Sequence, residues 1–119
     1  MHCETLKQAI VFRSDLKLGK GKLTTHAGHA AVIGYLKVNS KDKAVAKEWL
    51  EHGQKKVTLK VKDEKELLSL FEKAKRNVPS ELIHDAGLTQ IEPGTLVCLV
   101  IGPWNDEEID RFTKELKLL

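Results

Sequence analysis

Residues 9–31 read AIVFRSDLKLGKGKLTTHAGHAA, and the fold class turns on this stretch. Ala9, Ile10, Val11 and Phe12 form an unbroken apolar run, the pattern of a strand covered on both faces. Glycine and lysine then alternate at Gly19, Lys20, Gly21 and Lys22, and small residues dominate the segment after them. The order reads as strand, glycine turn, helix. Glycines let a backbone come close to a ligand, and the start of a helix offers unpaired N–H groups to an anion. The lysines add mobile positive charge. His26 and His29, three residues apart, occupy neighbouring positions on one face of the helix.

Working outward, residues 7–13 form a central strand and residues 22–38 a helix with Leu23, Ala27, Ala30, Ala31 and Leu36 available for packing. Ser40 is placed to cap a second helix that runs to His52, with Gly53 as its stop signal. Residues 55–61 alternate, with Val57, Leu59 and Val61 on one side and lysines and Thr58 on the other, as in a half-exposed edge strand. Asp63 followed by Glu66 is a cap-and-return pattern opening a helix to about Asn77. Residues 81–85 form a short strand ending at Asp85, residues 95–101 an apolar strand, and residues 106–117 a closing helix. The expected architecture is α/β: a small mixed four-stranded sheet with helices on both faces, in the order β-α-α-β-α-β-β-α. Helical crossovers predict parallel pairing among the first three strands. About nine residues join the third and fourth, too few for a parallel crossover, so the fourth runs antiparallel. The two all-apolar strands belong in the middle.

The chain has 119 residues, enough for one hydrophobic core, and residues 1–119 read as a single domain. The net charge of +3 permits a phosphate-rich partner without demanding one. Placement says more than the total: Lys17, Lys20, Lys22, Lys37, Lys41 and Lys43 fall between residues 17 and 43, where acidic residues are few. Cys3 and Cys98 form no disulfide framework, and Cys98 sits inside an apolar run as a buried thiol. No apolar stretch reaches the ~18 residues of a membrane span, and the N-terminus lacks a signal layout. A cytoplasmic protein is expected. Trp49 reads as packing, and Trp104 as a partly exposed loop residue.

The glycine–lysine turn excludes two nucleotide-binding patterns. A Walker loop needs a glycine five positions after the first, where this chain has Thr24 or His26. A dinucleotide fingerprint needs a third glycine where Thr24 stands. Without a ligand, the same residues make a solvated turn with surface lysines. His26 and His29 offer two metal ligands, short of the set a zinc site requires. A second constellation, Asp85-Ala86-Gly87-Leu88-Thr89-Gln90, comes after a strand at the sheet edge where ligands of open α/β sheets bind. With the first and third strands parallel, Lys22, His29, Asp85, Thr89 and Gln90 converge on one edge.

Together, RSDLKLGKGKLTTHAGHAA and DAGLTQIEPGTLVCLVIGP resemble the archaeal and eukaryotic type of peptidyl-tRNA hydrolase. The likeness runs from Lys7 to Leu119 and includes the closing KELKLL. It implies hydrolysis of the ester joining a peptide to the 3′ end of tRNA, by a cofactor-free enzyme that is often a dimer. Carried over by motif, the functional positions are Lys22, His29, Asp85 and Thr89, with Arg13, Lys17, Lys20 and Gln90 in supporting or tRNA-binding roles. The family's usual glutamine is His26 in this chain. The implied mechanism is direct attack of water oriented by Asp85 and His29, with Lys22 and Thr89 stabilising the oxygen that gains charge. No G-x-S-x-G elbow supplies a serine nucleophile. Two rival readings are a non-catalytic RNA-binding module on the same basic edge and a metal-assisted hydrolase using His26, His29 and Asp85.

Overall fold

The computed structural model of the chain describes residues 5–86 and 92–119. In chain order the elements are β1 (Leu6–Arg13), a 3-10 turn (Ser14–Leu16), α1 (Lys20–Lys41), α2 (Lys43–Glu51), β2 (Lys56–Val61), α3 (Glu64–Ala74), β3 (Ser80–His84), β4 (Leu96–Asn105), α4 (Asp106–Thr113) and β5 (Lys117–Leu118). The strands form a mixed five-stranded sheet in the order β3-β4-β1-β2-β5. The two apolar strands β1 and β4 are central, as their composition demands.

Strand alternation separates the core into two layers. Ala9, Val11, Leu99 and Ile101 point to one face, where Leu67 and Ala74 of α3 and Ile109 of α4 cover them. Ile10, Phe12, Cys98 and Val100 point to the other, covered by α1 through Ala30 and its neighbours. Helices therefore lie on both faces. Trp49 of α2 packs as expected: its ring stacks on Tyr35 at 6.5 Å and its N–H donates to the Lys55 carbonyl at 2.9 Å.

The structure corrects the expected sheet in two respects. It has five strands, not four, because α4 ends at Thr113 and the closing residues turn back. Leu59 then pairs with Leu118 and Lys60 with Lys117, so β5 adds an antiparallel edge to β2. A two-residue strand carries too little alternation to be legible alone; it exists because β2 presents unpaired backbone groups. Second, only β1 and β2 pair in parallel. β3 pairs with β4, and β4 with β1, both antiparallel. β1 and β3 still point the same way, so their carboxyl ends share an edge.

Helix boundaries shift for local reasons. α1 continues through Ser40, whose hydroxyl donates to the Lys37 carbonyl at 2.8 Å, and Asp42 caps α2 instead by accepting from the Val45 N–H at 3.2 Å. Asp63 caps α3 through the Glu66 N–H, and the Glu66 carboxylate returns to the Lys62 N–H. α1 begins at Lys20, so Lys20, Gly21 and Lys22 form its first turn, and the left-handed residue of the preceding turn is Lys17, at φ 53°.

The buried residues of α1 are His26, Ala30, Gly34 and Val38, a ridge of strict four-residue spacing. Leu36, expected to pack, is 56% exposed. The ridge sits close to the sheet at Gly34. A Cβ there would lie 2.6 Å from the Gly102 carbonyl oxygen and 2.7 Å from both the Gln8 amide nitrogen and Val100. The buried Gln8 amide donates to the Ala31 carbonyl at 3.1 Å and to Gly102 O at 3.4 Å, tying helix, β1 and β4 together. Gly34→Ala should therefore cost about 1–3 kcal/mol, since backbone, and not just a flexible side chain, blocks the methyl. The check is a lower denaturation midpoint at unchanged m-value; an unchanged midpoint would mean α1 lifts away freely.

Candidate active site

The carboxyl ends of β1 and β3 and the start of α1 meet at one edge of the sheet. A cleft of about 460 Å³ opens there, lined by Thr25, His26, His29, Val32 and Ile33 of α1 and by Ile83, His84, Asp85 and Ala86 at the end of β3. Asp85 is buried, and its backbone is clamped on both sides: its N–H donates to the Thr95 carbonyl at 2.8 Å, and its own carbonyl accepts from the Gly94 N–H at 2.9 Å. These bonds anchor the Asp85 backbone to the segment leading into β4.

Above it lies His26, with Nε2 3.5 Å from Asp85 Oδ1 and side-chain exposures of only 3% and 1%. That distance is beyond ordinary hydrogen-bond length. Neither ring nitrogen of His26 has a hydrogen-bond partner among the described residues. The His29 ring meets His26 edge to face, centroids 6.0 Å apart, and is exposed on the solvent side. Burial pushes the His26 pKa below the ordinary histidine range; the nearby His29 and Lys22 push it the same way, and Asp85 opposes them.

The other expected site residues fall around this centre. Lys22 is half-buried in the first turn of α1, and Lys20 is exposed beside it. Lys17 is exposed in the turn before. Arg13 ends β1 and does not line the cleft: its guanidinium grips the Asp15 carboxylate with two bonds of 2.8 Å and donates to the Leu96 carbonyl at 3.2 Å. That grip holds the Asp15 carboxyl below the usual carboxylate range. Thr89 and Gln90 lie outside the described residues. The structure thus brings His29 and Asp85 into one cleft and puts Lys22 on the same helix. It also brings in His26, which the sequence enlists only in the metal-assisted alternative. The spacing of Ala30 and Gly34, four and eight residues after His26, did not single it out, because Ala27, Gly28 and Ala31 offer small-residue faces on the same helix. Among the described residues no group of three or more His, Cys, Asp or Glu side chains is disposed to hold a metal ion. Cys98 is a core thiol whose pKa burial raises to about 12.

The sequence model of Peptidyl-tRNA hydrolase PTH2 matches residues 6–119. The chain belongs to this family. Relatives named peptidyl-tRNA hydrolase cover the same span. One from Methanopyrus kandleri is 54% identical over 95% of this chain and 97% of its own length. Others from Methanocaldococcus jannaschii and Thermococcus onnurineus are 47% and 46% identical, over 96% and 95% of the chain and 100% and 97% of their own lengths. Family membership therefore takes in both walls of the cleft, α1 and the end of β3.

A buried His26 with a depressed pKa links stability to pH. In the unfolded chain the ring protonates near its ordinary value, about 6.5, while the folded protein resists the proton. His26's contribution to stability is fully present above that value and is lost as pH falls toward the lower folded pKa. The denaturation midpoint should fall less steeply between about pH 7 and pH 5 in His26→Gln than in the wild type. Parallel curves would show that the ring takes up its proton without penalty.

Proposed function

We propose that this peptidyl-tRNA hydrolase, which cleaves the ester between peptide and tRNA and releases the tRNA for reuse, does so by direct attack of water. Asp85 and His29 orient the water and take its proton. Lys22 stabilises the oxygen that gains negative charge, and Thr89 adds a hydroxyl to the same task. One observation carries the reading: a buried carboxylate, clamped through its backbone, at the floor of a cleft whose rim carries an exposed histidine. A fixed carboxylate in a water-poor site makes an effective base, because little reorganisation is needed at the moment of reaction. Among the described residues the one thiol, Cys98, gives a thiolate route no support, being buried in the core with its pKa pushed up to about 12.

Lys17 and Lys20, together with the first turn of α1, hold tRNA phosphates on the N-terminal side of the cleft. Arg13 supports that edge from below by pinning Asp15 and the start of β4, and Gln90 is a further tRNA-binding residue. Such contacts position the substrate without reading sequence, and they weaken as salt rises. The glycines fit this use. A Cβ at Gly19 or Gly21 would meet nothing within 4 Å, so protein packing does not require them. Their bareness leaves room for a phosphate against the backbone. The cytoplasm, where stalled peptidyl-tRNA arises, is the compartment this substrate implies. Among the described residues no helix is long and apolar enough to cross a membrane. A homodimer, implied by the family likeness, would find an apolar face at Val32 and Leu36, both more than half exposed on α1.

Incubating the protein with N-acetyl-aminoacyl-tRNA, with and without chelator, tests the mechanism by release of free tRNA. Cleavage should survive chelation. Lys22→Ala and Asp85→Asn should each lower kcat by about 10²–10³-fold with the fold intact. Loss of activity to chelator with recovery on adding zinc would favour the metal-assisted route; tRNA binding with no cleavage by any form would leave only an RNA-binding module. Separately, Gly21→Ala should gain up to about 1 kcal/mol of stability while raising KM for the tRNA substrate. A stabilised variant with unchanged KM would remove that glycine from substrate binding.

A further inference from the structure

We propose that His26 is a positioning residue for this reaction: its neutral ring holds the Asp85 carboxylate in working orientation, and protonation of the ring shuts the site down in acid. The inference rests on the reading that Asp85 acts on the attacking water.

His26 lies on the inward ridge of α1 and Asp85 just beyond β3, so the fold brings them together from distant parts of the chain. Both are nearly solvent-free, and Nε2 faces Oδ1 at 3.5 Å. A buried imidazole whose two nitrogens find no partner among the described residues is costly to keep. An apolar side chain would fill the same ridge position without that cost. The cost is intelligible if the ring serves the carboxylate. With the proton on Nε2, it can donate to Asp85 Oδ1 once the cleft closes by about half an ångström, as catalytic hydrogen bonds commonly do when substrate binds. The His29 ring, edge to face at 6.0 Å and 72°, backs His26 on the solvent side and limits how far it can swing from Asp85.

A second proton changes the pair. The imidazolium would bind the carboxylate as an ion pair and compete with water for its electron pairs, so the base is lost. The surroundings decide when this happens. From its own helix, Lys22 and His29 face the ring, and both oppose a further positive charge; Asp85, beyond β3, is the anion that favours it. β3 also contributes His84, exposed at the rim of the cleft. β1 and β4 present apolar side chains such as Phe12 and Val100, and the neutral thiol of Cys98. Burial tips the balance toward the uncharged ring, so the site is switched on at neutral pH and loses activity on the acid side.

The test uses the full chain and N-acetyl-leucyl-tRNA, with kcat and KM measured from about pH 5 to about pH 9. Wild type should lose kcat on the acid side with little change in KM. His26→Leu should lower kcat about 10–100-fold across the range with KM unchanged, the usual scale for losing a group that orients a reacting one. His26→Gln, a neutral donor of similar reach, should recover most of that loss and shift the acid limb to lower pH. In the resting protein, the His26 ring observed by NMR should titrate at lower pH when Asp85→Asn removes the anion. An acid limb identical in wild type and His26→Gln, or a His26→Leu enzyme with full kcat, overturns the proposal. If His26→Leu fails to fold, the glutamine comparison and the NMR titration decide. A wild type that cleaves nothing would overturn the hydrolase reading instead, while the titration against Asp85→Asn would still report whether the pair exists.

Discussion

The close approach of α1 to the sheet at Gly34 is the constraint on which the other features depend. With no side chain there, the helix backbone can settle against Gly102 and Val100, and the Gln8 amide can bridge the Ala31 and Gly102 carbonyls. That contact fixes both the axial position and the rotation of α1. His26 lies two ridge positions earlier, about 12 Å along the axis at 1.5 Å per residue. Sliding the helix by one residue would also turn the ridge by about 100° and carry His26 off Asp85. A packing detail at the middle of the helix thus sets the geometry of a chemical group near its start.

The same arrangement divides the cleft's labour by burial. Its rim at the start of α1 is exposed and carries Lys20 and Lys22. Its inner wall carries the buried Asp85, held through its backbone. Electrostatic interactions are weak at the rim, where salt screens them, and strong at the inner wall, where it does not. His26 sits between the two zones, buried with its pKa pushed down, in a protein whose N-terminal third carries few acidic residues.

Much of this was legible in the chain. The apolar runs of β1 and β4 placed them at the sheet centre because only a strand covered on both faces can be apolar throughout. The Asp63–Glu66 box announced α3 through local bonds alone. The short loop before β4 dictated its antiparallel direction, and the shared direction of β1 and β3 placed Asp85 at the same edge as the lysines. The failures have different causes. Ser40 yielded its capping role to Asp42 through bonds within three residues, whereas Leu36 turned to solvent and Lys117–Leu118 became a strand through packing and pairing with partners distant in sequence. Arg13, assigned a supporting or tRNA-binding role, grips the Asp15 carboxylate and the Leu96 carbonyl, an engagement no periodicity could reveal.

By itself the sequence determined the α/β class, the identity of the two central strands, the pair of motifs that carries the family likeness, and the edge at which they meet. Each depends on composition, local capping or loop length, which act between near neighbours. Only the tertiary structure decided which face of α1 turns inward, and so which histidine is buried against Asp85 and which stays in solvent. That choice rests on a contact between a helix glycine and the backbone of a strand 68 residues away, Gly34 against Gly102. Shape complementarity of this kind has no signature in either segment read alone.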